Sequence, residues 1–74
     1  MSGEGEVSVE LTVNGTDHRL PGGVTVAELV ATVTGQSRGV AVAVNGEVVP
    51  RAGWPAAVLH AGDRVEVLTA AQGG

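Results

Sequence analysis

Cysteine, lysine, phenylalanine, tyrosine and isoleucine are all absent from the 74 residues. Without cysteine there is no disulfide framework and no thiolate metal site, the two staples that small domains most often add. A chain this short buries only ~60–65% of the surface its unfolded form exposes, so packing alone has to hold it together. Base is scarce: four arginines face eight acidic side chains, for a formal charge of −4. With a single aromatic residue, Trp54, the chain offers neither an electrostatic footprint for a phosphate backbone nor a stacking platform. No nucleic-acid partner is expected. The longest apolar run, Val40–Val44, is far short of the ~20 residues of a membrane span. The opening residues MSGEGEV carry acid where a signal peptide carries base, and no apolar stretch follows. These absences lead to the expectation of a soluble cytoplasmic protein that meets no membrane.

What the sequence does hold is valine, 15 residues, with ten alanines and five leucines, the composition of a strand-rich core built from small, stiff side chains. Length allows one domain, residues 1–74, with 1–6 as a Gly- and Glu-rich flexible leader and 70–74 as a flexible tail. Val7, Val9, Leu11 and Val13 alternate with polar residues, the period of a strand with one buried face. Asn14-Gly15 then signals a hairpin, because both residues tolerate positive φ. Asp17–Leu20 makes the return strand, closed by Pro21-Gly22-Gly23. Thr25 and Glu28 form a capping box, with Val24 and Leu29 as its hydrophobic staple. From there Val26, Leu29, Val30 and Val33 mark one helical stripe. Gly35 supplies the stop. Val40–Val44 is apolar throughout and predicts a strand buried on both faces. Asn45-Gly46 gives a second hairpin, with Glu47–Val49 returning to Pro50. Residues 51–61 predict a loop with a short 3₁₀ or helical turn, and Arg64–Thr69 a last strand. The sum is an α+β fold, one helix on one face of a mixed four- to five-stranded sheet, the β-grasp solution for so small a core.

Few motifs suggest chemistry on the folded body. Gly35-Gln36-Ser37-Arg38-Gly39 fits the G-x-S-x-G nucleophile elbow, but it follows a helix and precedes a strand, the reverse of what an elbow needs. Asn14-Gly15-Thr16 fits a glycosylation sequon and reads better as a turn. His18 and His60 stand apart from any ligand spacing, so no metal site is expected. No Gly-rich phosphate loop follows a strand, and no carboxylates pair at acid–base spacing. Chemistry is left to the end of the chain. Gly73 and Gly74 have no Cβ, so the backbone there can enter a narrow slot. The five residues after Thr69 reach up to ~17 Å, and the distinctive group at their tip is the α-carboxylate of Gly74.

Several residues together resemble a known family. Val13-Asn14-Gly15, and further on Val44-Asn45-Gly46, Val49-Pro50-Arg51, Trp54, Leu59, Gly62-Asp63-Arg64-Val65-Glu66 and the final Gly73-Gly74, look like the thiamine-pathway sulfur carriers, ubiquitin-like β-grasp proteins of the ThiS type. The departures are the leader before the first strand and Ala70-Ala71-Gln72 in the tail. The resemblance implies a co-substrate rather than an enzyme. Gly74 would be the carrier residue, with Gly73, Gln72 and Ala71 as the tail that enters the partner's slot. An E1-like adenylyltransferase would activate the Gly74 carboxylate, consuming ATP that the carrier itself does not bind; no cofactor is expected on this chain. A cysteine desulfurase or related persulfide protein would supply the sulfur, and thiazole synthase would take it from the thiocarboxylate. Two other readings stay open, a molybdopterin-pathway sulfur carrier and a ubiquitin-like protein modifier. The first resembles this chain less through Val49–Trp54. The second could not form lysine-linked chains of itself, because lysine is absent. Trp54 is read as a cover for one end of the core, while Arg51 is left between a backbone carbonyl and a partner carboxylate.

Overall fold

The structure is a computed structural model, and it describes residues 7–35 and 38–69. Strands β1 (Ser8–Val13) and β2 (Thr16–Pro21) pair as an antiparallel hairpin. Asn14 and Gly15 turn it with φ of 52° and 82°, the two left-handed residues that a type I′ turn requires. Helix α1 (Val26–Val33) opens on the expected capping box: Thr25 Oγ1 accepts from the Glu28 N–H, and Glu28 Oε1 accepts from the Thr25 N–H. The N–H groups of Thr34 and Gly35 both converge on the Val30 carbonyl. Gly35, at φ 73°, ends the helix there. Strands β3 (Val40–Val44) and β4 (Glu47–Val49) form the second hairpin, turned by Asn45 and Gly46 at φ 53° and 86°. A 3₁₀ helix (Arg51–Ala56) lies against α1, and β5 (Arg64–Thr69) completes the fold.

The five strands make one mixed sheet in the order β2-β1-β5-β3-β4. The β1–β5 pair is parallel, and the other pairs are antiparallel. Helix α1 covers one face, and the core lies between: Leu11 and Val13 of β1, Val26, Leu29 and Val30 of α1, Val42 of β3, and Val65 and Val67 of β5. Each such side chain contributes ~1.5–3 kcal/mol by leaving water. Trp54 and Leu59 close one end. Chain connectivity there is reinforced by a short bridge between Thr25 and Val58, in which the Val26 N–H meets the Ala57 carbonyl and the Leu59 N–H meets the Val24 carbonyl. This is the β-grasp arrangement expected from the sequence.

Three expectations need correction. β3 is not buried on both faces: Val42 is buried, Ala41 is exposed, and Ala43 is half-buried. One helix covers only one face of the sheet, so the valines of Val-Ala-Val-Ala-Val take the covered face and the alanines the open one. The alternation is one of size, not of polarity. Val33 does not complete the buried stripe of α1; it is 40% exposed. It stands in the last turn, followed by half-buried Thr34 and exposed Gly35, so core contact runs out one turn before the helix does. Strand limits also shift, since Val7 lies outside β1 and is exposed, and β2 extends to Thr16 and Pro21. Proline is tolerated at that end because β2 is an edge strand. The expected leader, 1–6, and tail, 70–74, lie outside the described residues.

Candidate functional site

The strand that leads to the predicted carrier residue is the central one. β5 has β1 on one side and β3 on the other, but the two neighbours are staggered along it. β3 pairs with β5 from Val44↔Val65 to Val40↔Thr69, whereas β1 pairs only through Thr12↔Arg64 and Val13↔Val65. The two hairpins therefore meet on β5 like offset planks, joined along its length on one side and at its beginning on the other.

An asparagine bridges each end of this offset. Asn45, in the β3–β4 turn, accepts from the Arg64 N–H at Oδ1 (2.9 Å), while its Nδ2 donates to Asp63 Oδ1 (3.0 Å). Its backbone N–H also reaches the Arg64 carbonyl at 2.7 Å. Asp63 Oδ2 in turn accepts from the His60 N–H (2.8 Å). Asn14, in the β1–β2 turn, does the same higher on β5. Its N–H reaches the Val65 carbonyl (2.9 Å). Its carboxamide then meets both backbone groups of Val67, accepting at Oδ1 (2.9 Å) and donating from Nδ2 (3.1 Å). Sequence reasoning reads both asparagines only as turn formers. A carboxamide that copies a strand rung becomes visible once β5 is placed between the two turns, and nothing in the local pattern announces that placement.

The open face of the sheet carries an apolar strip near the end of β5. Leu68 is 67% exposed and stands opposite exposed Ala41, and Val48 is 75% exposed and stands opposite Ala43. Trp54 is buried, and its Nε1–H donates to the Val49 carbonyl at 2.9 Å. That places it as the core cover read from the sequence. His18, half-buried on β2, and exposed His60 join no cluster, and no group of three metal-ligating side chains exists among the described residues. A surface cleft lined by Glu10, Leu11, Thr12, Asp17, Gly62 and Asp63 is acidic, but Glu10 already holds Arg19 at 2.8 Å and both Asp63 oxygens are taken. Ala71, Gln72, Gly73 and Gly74, the predicted tail and carrier residue, lie outside the described residues; Thr69, the end of β5, is the last residue before them that is described.

Comparison with known proteins bears on the same end of the chain. The model of the ThiS family matches residues 10–74, from the middle of β1 through the last glycine. Among solved structures, the crystal structure of the thiamine biosynthesis protein (ThiS) from Geobacter metallireducens superposes with a TM-score of 0.74 at 34% sequence identity. The match covers 82% of this chain and 93% of that one. No curated protein sequence matches. A family match over nearly the whole length and a solved relative of the same fold agree with the residues that carried the resemblance, and the chain belongs to the ThiS family.

Proposed function

We propose that this protein carries sulfur for thiamine thiazole synthesis on the C-terminal carboxylate of Gly74. The observation that supports it most is the family match, which runs through residue 74 and so includes the Gly73-Gly74 pair. In the proposed cycle a carboxylate oxygen of Gly74 attacks the α-phosphorus of ATP in an E1-like adenylyltransferase, and pyrophosphate leaves. The acyl-adenylate is then attacked at carbon by a persulfide sulfur of the donor protein, and AMP leaves. A thiol reduces the resulting acyl disulfide to the thiocarboxylate, which thiazole synthase consumes. The chain itself is a co-substrate: it supplies a reachable carboxylate and a tail narrow enough at its glycines to pass between two active sites. Having no cysteine, it cannot trap its own activated carboxyl as an internal thioester.

The same absence makes a direct test. The protein is incubated with ATP, the adenylyltransferase and a persulfide donor, treated with a thiol alkylating agent, and cleaved after Arg64. An ATP-dependent alkyl adduct on the peptide Val65–Gly74 is the expected result, since an unreacted chain has no thiol to alkylate. Adenylation without an adduct would sink the sulfur-carrier reading and favour the modifier reading; Gly74 found joined to lysines of other proteins would do the same.

A further inference from the structure

We infer that Asn14 is a positioning residue for the carrier tail, acting through the backbone of Val67; this rests on the reading of Gly74 as the reactive end. β1 ends at Val13, and its backbone pairing with β5 ends at Val65. From there on β5 has a strand neighbour only on the β3 side, where pairing continues to Thr69. The carboxamide of Asn14 supplies the missing rung. Its Oδ1 accepts the Val67 N–H at 2.9 Å, and its Nδ2 donates to the Val67 carbonyl at 3.1 Å. A backbone residue of a neighbouring strand would use the same two groups, so the side chain extends the ladder past the turn that ends the strand.

The rung lies close to the start of the tail, since Val67 is two residues before the end of β5. If β5 loosened back to that point, the stretch between the last paired residue and Gly74 would lengthen by two residues, adding about 7 Å of reach. A looser exit has more conformations to lose when the tail enters an activating site, and that entropy weakens binding rather than slowing chemistry. The Asn14 rung holds β5 on its β1 side as far as Val67, two residues before the strand ends at Thr69. Asparagine suits the post twice over, because it tolerates the φ of 52° that the turn imposes and offers a donor and an acceptor side by side.

Two variants keep the turn while changing the rung. Asn14→Gly retains left-handed freedom and loses the carboxamide. Asn14→Asp retains the turn and the acceptor, but at neutral pH sets a carboxylate oxygen against the Val67 carbonyl. Amide hydrogen exchange of the full chain should show the protection of Val67 falling at least ~10-fold in Asn14→Gly, with Val42 in β3 unchanged, and falling less in Asn14→Asp, which keeps the oxygen that accepts the Val67 N–H. In Asn14→Asp the protection should return below about pH 4, where the protonated acid can donate; Asn14→Gly should show no such return. With ATP and the adenylyltransferase, the KM for the carrier in pyrophosphate release should rise several-fold and kcat stay within about twofold. Unchanged protection at Val67, a uniform loss of protection through the sheet, or a loosened Val67 with an unchanged KM would each overturn the inference. Wild-type protein that supports no pyrophosphate release would instead overturn the function proposed above, and the tail-positioning role with it, whatever the exchange data show.

Discussion

At the scale of single residues, Trp54 carries more than any other side chain. It is the chain's one aromatic residue, it is buried, and its indole N–H is committed to the Val49 carbonyl at the end of β4. Charged side chains at the surface contrast with this, as the Glu10–Arg19 pair shows: at 2.8 Å it has good geometry, but both side chains are 70% exposed. Solvent and lost rotamer freedom leave such a pair little net value. Trp54→Phe should therefore lower stability by about 2 kcal/mol, part of it lost volume and part the carbonyl left without its donor. For a domain of this size that is a large share of an expected ~3–5 kcal/mol. Urea unfolding followed by circular dichroism would measure it, and a shift under about 0.5 kcal/mol would refute the account of Trp54 as a core cover. Glu10→Gln in the same experiment should change stability by less than ~0.5 kcal/mol.

At the scale of elements, what could be read from the sequence was whatever local chemistry decides. The two Asn-Gly turns, the Thr25–Glu28 box and the Gly35 stop each depend on residues within a few positions of one another, and each stands where its pattern put it. The burial of β3 and of Val33 depends instead on how many layers cover the sheet and where the core ends, which no five-residue window contains. The paired use of Asn14 and Asn45 was hidden for the same reason. The terminal glycines stood out through the chemistry of a terminal carboxylate, the β-grasp pattern and family resemblance together, and their carrier role belongs to the proposal. Helix α1 illustrates how much a local device contributes. It spans only Val26–Val33, and three of its eight residues are valines, which have weaker helix propensity than leucine or alanine. Its first turn therefore leans on the box. Thr25→Ala should cost about 1 kcal/mol in urea unfolding, and Thr25→Ser should restore most of it; equal effects of the two would show that burial of the Thr methyl, not capping, is what matters there.

At the scale of the whole molecule, the core and the proposed reactive end are far apart in sequence. Among the described residues the core runs from Leu11 to Val67, seven positions short of Gly74. Deleting Gly74 should leave the urea midpoint unchanged and abolish the ATP-dependent alkyl adduct on the C-terminal peptide. A shortened chain that still gained the adduct would remove Gly74 from the mechanism. The molecule's charge gives the other whole-molecule expectation. Formal charge is −4, and one of the four arginines, Arg19, is paired with Glu10. The proposed activating partner, which would receive a carboxylate and hold ATP, gains from a positive surface around its entrance, so the long-range field of this chain should steer it there. That steering acts on the association rate and fades as salt shortens the Debye length from ~10 Å at 0.1 M to ~3 Å at 1 M. Stopped-flow mixing with the adenylyltransferase, with the buried Trp54 as reporter or a label on the partner, should show the rate constant falling several-fold between roughly 0.05 and 0.5 M NaCl, with dissociation changing far less. A rate constant independent of salt would mean that shape and apolar contact guide the encounter, and the exposed strip of Leu68, Ala41 and Val48 would then be the surface to vary.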